Sequence, residues 1–169
     1  MKRRLSFYYI ALLLFCQALA FCIPVMALDS SKTANIVNHC DTIRENLRSL
    51  QKSDSRTRVY LGSYYEAILT KFITPLNVRL VENNLSTANF VENQNKFAEA
   101  KTIFTNDFIS YQQHLEELIN INCKTEPDRF YEKLEKVRAK RQTMEQDVLK
   151  LRTLISDHVK LVMELKGRL

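Results

Sequence analysis

Three adjacent residues, His39, Cys40 and Asp41, are of the types that build a nucleophilic catalytic site. A cysteine nucleophile needs its base within hydrogen-bond reach. Neighbours on a helix, however, project about 100° apart around the axis. Cys40 is also the natural partner of Cys123 in a disulfide, for the reasons given below. We therefore do not expect catalysis at this position.

The sequence also lacks other patterns that indicate an enzyme or a metal site. Its three histidines are His39, His114 and His158, and no E-x-x-H, H-E-x-x-H or G-x-S-x-G pattern occurs. No glycine-rich phosphate loop is present. We predict a protein without enzymatic activity, cofactor or metal.

The first residues of the chain indicate export. Three cations at positions 2–4 precede an apolar run that ends in a proline-bearing segment, which is the pattern of a secretory signal peptide cleaved after Ala27. We predict a signal peptide over residues 1–27 and a single domain over residues 28–169. As an exported protein, it would be secreted, periplasmic or associated with the cell envelope.

Two alternatives for this segment keep the protein at a membrane. The apolar run from about Phe7 to Leu28 is long enough to serve as an uncleaved membrane anchor. The run L-A-F-C at 19–22 loosely resembles the bacterial lipobox, in which Cys22 would be acylated.

Cleavage changes the cysteine and charge counts of the mature chain. Of the four cysteines, only Cys40 and Cys123 remain, and an even pair in an exported chain predicts one disulfide. The whole chain has 25 Lys and Arg against 19 Asp and Glu, and without the three cations at 2–4 the balance is 22 against 19. Export and this small excess disfavour nucleic acid as a partner.

The remaining chain reads as all-α. It is poor in glycine and proline, and three segments show apolar residues at alternating steps of four and three, over about 32–82, 87–121 and 127–166. Pro75 is expected to kink the first helix. Folding the segments back predicts an elongated antiparallel three-helix bundle with coiled-coil-like packing, and places Cys123 within about two turns of Cys40. Pairing of helices between chains, as a homo-oligomer, is the alternative.

The apolar stripe of the third helix, which begins at Phe130 and ends at Leu169, has two ionisable members, Arg141 and His158. Counting across the turns places Arg141 near Asp107 of the second helix and Gly62 of the first. We interpret Arg141 as a residue whose stem packs against aromatic rings while its head reaches a carboxylate or solvent. A polar residue in such a seam can also set helix register. We interpret His158 as a partly buried structural histidine.

Three further features bear on interactions. Lys136, Arg138, Lys140 and Arg141 form a candidate anion-binding patch. Tyr60 and Tyr64 share a helix face while Tyr65 points elsewhere, and the three are candidate interaction residues because tyrosine is common in interface hot spots. Gly62, between them, would be explained by a close helix crossing.

The sequence thus predicts an exported, non-catalytic helical protein that acts through protein–protein contact in the envelope or outside the cell. The alternative is a module that binds an anionic polymer or lipid headgroups through its basic helix face. That alternative predicts binding that weakens with salt.

Overall fold

The computed structural model describes residues 29–168, and every regular element in that range is helical. The elements are α1 (Ser30–Asn38), α2 (Cys40–Ile68), a π-helical turn (Leu69–Ile73), α3 (Thr74–Glu82), α4 (Ala88–Asn120) and α5 (Pro127–Lys166). The predicted all-α class is confirmed for this range. The predicted signal peptide, Cys22 and Leu169 lie outside the described residues. None of the described helices combines the length and apolarity needed to cross a membrane.

In place of one helix over 32–82, the structure has α1, α2, the π-helical turn and α3 in succession. The first interruption is His39, whose ring Nδ1 lies 3.0 Å from the carbonyl oxygen of Asn35. The His39 backbone N–H also donates to this carbonyl, and the His39 carbonyl accepts from the N–H of Ile43. Helical hydrogen bonding therefore continues through the interruption.

The second interruption lies directly before Pro75. Proline has no N–H to donate, and its ring crowds the carbonyl four residues earlier, here that of Lys71. The N–H of Thr74 donates to the carbonyl of Leu69, five residues back rather than four. The disturbance expected at Pro75 thus takes the form of a π-helical turn. This turn carries Phe72, which is 67 % exposed.

The reversal between α3 and α4 is built by two asparagines. The side-chain Nδ2 of Asn83 donates to the Arg79 carbonyl at 2.7 Å, which satisfies one of the last carbonyls of α3. Asn84 has φ of 54°, and the N–H of Leu85 reaches back to the carbonyl of Leu80 at 3.0 Å. This is the Schellman arrangement, in which asparagine tolerates the left-handed position. It turns the chain back toward α2.

Helix α4 supplies the largest share of the core. Its buried residues recur at steps of three and four, with one adjacent pair at the end: Phe90, Asn93, Phe97, Ala100, Phe104, Phe108, Tyr111, Leu115, Leu118 and Ile119. It packs closely against α5, and also against α2, the π-helical turn and α3. Among the described helices, α5 makes no comparably close backbone approach to α2 or α3. Helix α4 therefore forms the floor between two flanking walls.

Gly62 lies inside α2, and no close helix crossing explains it. A Cβ atom added at this position would meet nothing within 4 Å. The expectation from the sequence is therefore wrong, because the helix next to Gly62 does not approach its backbone.

We predict that Gly62→Ala raises the free energy of unfolding by about 1 kcal/mol, since glycine in a helix interior costs about that much relative to alanine. The measurement is urea unfolding followed by circular dichroism. Ala139→Gly, at an exposed position inside α5, should lose a similar amount. A neutral or destabilising effect of Gly62→Ala would show that this position needs glycine for another reason.

Candidate functional site

The three residues His39, Cys40 and Asp41 do not converge on a reaction centre. The His39 ring faces its own preceding turn. The sulfur of Cys40 lies at bonding distance from that of Cys123, with the two Cα atoms 5.6 Å apart. The Asp41 carboxylate instead accepts a hydrogen bond from Lys124 at 2.6 Å. These residues form a structural junction between the start of α2 and the segment after α4, and the distance between the sulfurs is compatible with the predicted disulfide.

The same junction carries further links between the start of α2 and the end of α4. Nε of Arg44 donates to the carbonyl of Ile119 at 3.1 Å. The hydrogen bond and the charge of Lys124 lower the pKa of the exposed Asp41 carboxyl. Both cysteines are buried. This end of the fold is therefore joined by covalent, ionic and hydrogen-bonded contacts together.

The histidines lie on separate elements and share no site. His114, on α4, has its Nδ1 3.0 Å from Nζ of Lys133, which also pairs with Glu117. His158 lies on α5 and is buried. Across residues 29–168, no group of three or more His, Cys, Asp or Glu side chains is placed to hold a metal ion.

Arg141 is placed at an exposed edge and reaches α2. Its guanidinium lies 3.7 Å from the carboxylate of Asp54. The other oxygen of Asp54 accepts a 2.6 Å hydrogen bond from the hydroxyl of Tyr111, on α4. A polar cluster of Asp54, Tyr111 and Arg141 therefore connects α2, α4 and α5. Asp107, the carboxylate that counting along the sequence placed beside Arg141, lies 3.8 Å from Lys140 instead.

Tyr111 is the buried member of this polar cluster. Its side chain is 0 % exposed, and burial, followed by the hydrogen bond to Asp54, raises the pKa of its hydroxyl. The hydroxyl therefore remains a donor to the carboxylate at all physiological pH values.

The four candidate anion-binding cations do not form one face. Arg138 pairs with Glu135 on its own helix, Lys140 points to α4 and Arg141 points to α2. Lys136 is exposed and lies beside Glu117 and Glu132. Anion binding by this set stays a prediction. The structure divides its members among different neighbours.

The three tyrosines separate into two surface residues and one core residue. Tyr60 is 70 % exposed and Tyr64 is 46 % exposed, and their rings are nearly parallel with centroids 6.4 Å apart. Tyr65 is only 1 % exposed and packs edge-on against Phe97 and Phe104. Tyr65 therefore belongs to the core and is not a candidate surface contact. Tyr60 and Tyr64 remain candidates.

An open groove lies between α5 and the wall formed by α2, the π-helical turn and α3, and the sequence did not predict it. Tyr64 is one of its lining residues. We name this groove the α2–α5 groove. Its first half has a volume of about 390 Å³. The residues lining this half are Asp54, Thr57, Arg58, Leu61, Phe104, Phe108, Arg141, Met144, Glu145, Val148, Leu149 and Arg152.

The second half of the groove begins one helical turn further along both walls and has a volume of about 650 Å³. Its lining residues are Tyr64, Ile68, Lys71, Phe72, Ile73, Pro75, Leu76, Arg79, Ile155, His158, Val159 and Val162. Phe72 and Val159 expose 67 % and 54 % of their surfaces. The groove is thus mainly apolar, and the sequence signal for it was the presence of Leu149 and Val159 on the third helix at positions outside its apolar stripe.

His158 sits at the base of this second half. Its ring packs edge-on against Phe90 with centroids 5.7 Å apart, and its Nδ1 is buried without a hydrogen-bond partner among the described residues. Burial lowers the pKa of the imidazole. The neutral form is therefore the one that the fold accommodates.

We predict that Tyr111→Phe lowers the free energy of unfolding by about 1–2 kcal/mol, because it removes the donor to the largely buried carboxylate of Asp54. Thermal and urea unfolding measure the change. Tyr60→Phe, which alters an exposed hydroxyl, is the matched control and should have little effect. Equal effects of the two substitutions would contradict the role of the polar cluster.

We also predict that acidification destabilises the fold through His158. The unfolded chain binds this proton near the ordinary pKa of about 6.5, whereas the folded chain binds it only at lower pH. The free energy of unfolding should therefore fall as the pH drops below about 6.5, until the folded pKa is reached. His158→Leu should make this decline shallower between about pH 7.5 and 5. An unchanged pH profile would show that the imidazole is solvated in the folded protein.

Comparison with known proteins assigns the chain to no family, since no protein-family model matches it and no similar curated protein or solved structure was found.

Proposed function

We propose that this protein is an exported, non-catalytic interaction protein that folds as an antiparallel three-helix bundle. It binds another protein in the cell envelope or extracellular space through the α2–α5 groove. The observation that carries the proposal is the row of exposed apolar side chains, Tyr64, Phe72, Leu149 and Val159, on both walls of one groove.

Exposure of such a row to water is unfavourable in free energy. Soluble monomers rarely expose contiguous apolar surface, and larger exposed patches mark interaction sites. A groove between two helices is also the shape that accepts an extended apolar partner surface. The stacked Tyr60 and Tyr64 stand at its edge, where aromatic residues with a polar end favour interfaces. Protein binding therefore explains the groove better than core packing does.

The export part of the proposal is supported by the sequence and by the cysteine pair. The segment 1–27 has the organisation of a signal peptide. Cys40 and Cys123 lie at bonding distance, and a disulfide persists in oxidising compartments. Retention of the apolar segment, or acylation of Cys22, would hold the protein at the membrane surface.

Site-specific photo-crosslinking tests the proposal. The photoreactive amino acid p-benzoylphenylalanine replaces Phe72 in the groove or, as the matched control, Ile109, which is 40 % exposed on α4 and does not line the groove. Each oxidised protein is irradiated in an envelope extract at low and high salt. We expect a discrete protein to be crosslinked at Phe72 under both conditions and not at Ile109.

The same experiment has two contrary outcomes. Identical products from both positions would show that the groove has no special role. Capture of glycan or lipid alone, lost at high salt, would favour the anion-binding alternative with Lys136, Arg138, Lys140 and Arg141.

A further inference from the structure

We infer that the occupant of the α2–α5 groove is an amphipathic helix of another protein, carrying acidic residues beside its apolar stripe. The inference rests on the proposed function and specifies its partner. Four properties of the groove carry it: its length, the charge of its walls, the distribution of that charge, and the helical arrangement around it.

The groove is long enough for a helix of several turns. Its α5 wall runs from Arg141 to Val162, and the opposite wall runs from Asp54 to Arg79. At 1.5 Å per residue these walls extend over ~30 Å and ~35 Å. A helix of about 20 residues has the same length.

The charge of the walls is predominantly positive. The charged lining residues are Arg58, Lys71, Arg79, Arg141 and Arg152 against Asp54 and Glu145. Asp54 is already engaged by Tyr111 and Arg141. In the described part of the chain, no carboxylate lies within ion-pair distance of Arg58, Lys71, Arg79 or Arg152. Arg58 lies over the ring of Phe108 at 5.4 Å from its centroid, which leaves its N–H groups free to donate, and the four cations can pair with carboxylates of an acidic partner.

The distribution of the cations along the groove favours a helix over an acyl chain as the occupant. Arg58 and Arg141 line the first half, Arg152 lies near the middle, and Lys71 and Arg79 line the second half. An acyl chain has a single anionic head and would use cations at one end only. A helix with carboxylates along both flanks of its apolar stripe can reach all of them.

The same charges disfavour two other occupants. A second copy that brought its own groove face to this one would place like charges opposite each other, which destabilises an isologous contact. The N-terminal segment over residues 1–28 contains cations and no carboxylate. It therefore lacks the complementary charge.

The arrangement of the helices around the groove also favours a helical occupant. The walls flank a floor that contains Phe104 and Phe108 of α4, with His158 at the base of the second half. A helix laid between the walls would cover these side chains and complete a four-helix packing arrangement, in which core positions face one another. Its apolar residues would recur at steps of three and four, as in other helix-in-groove complexes.

The test uses the oxidised protein and three synthetic peptides of about 20 residues, with binding measured by fluorescence anisotropy. The first is an amphipathic helix with leucines at steps of three and four and flanking glutamates. The second has lysines in place of the glutamates. The third has the composition of the first with its leucines permuted. We expect the acidic amphipathic peptide to bind at least about tenfold more tightly than the other two.

Charge reversal provides the matched variants. Arg79→Glu combined with Arg152→Glu should make the protein prefer the basic peptide. Arg48→Glu combined with Arg138→Glu reverses two exposed arginines on α2 and α5 outside the groove, and should leave the preference unchanged. If the first double variant does not fold, Arg79→Gln with Arg152→Gln should still reduce the preference for the acidic peptide.

Several outcomes would overturn the inference. Equal binding of the acidic and basic peptides would remove the role of charge, and equal binding of the permuted peptide would remove the role of the helix. Binding of dodecanoate without binding of any peptide would assign the groove to an acyl ligand. Concentration-dependent dimers that Phe72→Asp abolishes would assign it to a second copy.

Failure of the inference that the occupant is an acidic helix can be distinguished from failure of the proposed function. If a discrete protein is crosslinked at Phe72 but contacts it through a segment that is not an acidic helix, protein binding stands and the partner class is wrong. If no protein is crosslinked at Phe72, the proposed function itself fails, whatever the peptides do.

Discussion

The aromatic row of α4 is the constraint on which the rest of the fold depends. Tyr65 of α2 makes T-shaped contacts with Phe97 and Phe104, and His158 of α5 makes one with Phe90. Each wall therefore packs onto the same central helix, and burial of each phenylalanine contributes about 2–3 kcal/mol. Because both walls satisfy their packing on α4, their backbones do not need to meet. The open groove is a consequence of this central helix.

Two sets of contacts, one between cysteines and one polar, then hold the walls against α4. At one end, Cys40 is placed beside Cys123. Further along, Tyr111 reaches Asp54 on α2, and Arg141 reaches the same carboxylate from α5. A register slip of α2 would leave the buried Tyr111 hydroxyl without its acceptor, which is more costly than the hydrogen bond is stabilising. That the polar interruption of the seam sets helix register stays a prediction.

Local pattern predicted the helices well, because the spacing of apolar residues depends on each helix alone. The relative register of the helices was harder to predict from the sequence. Counting along the chain placed Gly62 opposite Arg141, whereas Asp54 lies there in the structure. The π-helical turn before Pro75 inserts a residue that periodicity does not reveal. Extended backbone at Ile121, with ψ of 133°, also covers more distance per residue than a helix. The π-helical turn shifts the pairing of α2 with α4, and the extended backbone at Ile121 shifts the pairing of α4 with α5.

The groove could not be read from the sequence for a related reason. A helical stripe shows which residues avoid water, but not whether a neighbouring helix covers them all. Phe72 follows the apolar spacing of the first segment and Val159 lies beside the stripe of the third, yet the structure leaves both exposed. His158, with an unpartnered buried nitrogen, lies beside them. The exposed apolar side chains of Tyr64, Phe72, Leu149 and Val159 line the same groove as this nitrogen. A bound helix would bury the apolar side chains while its carboxylates met the unpaired arginines.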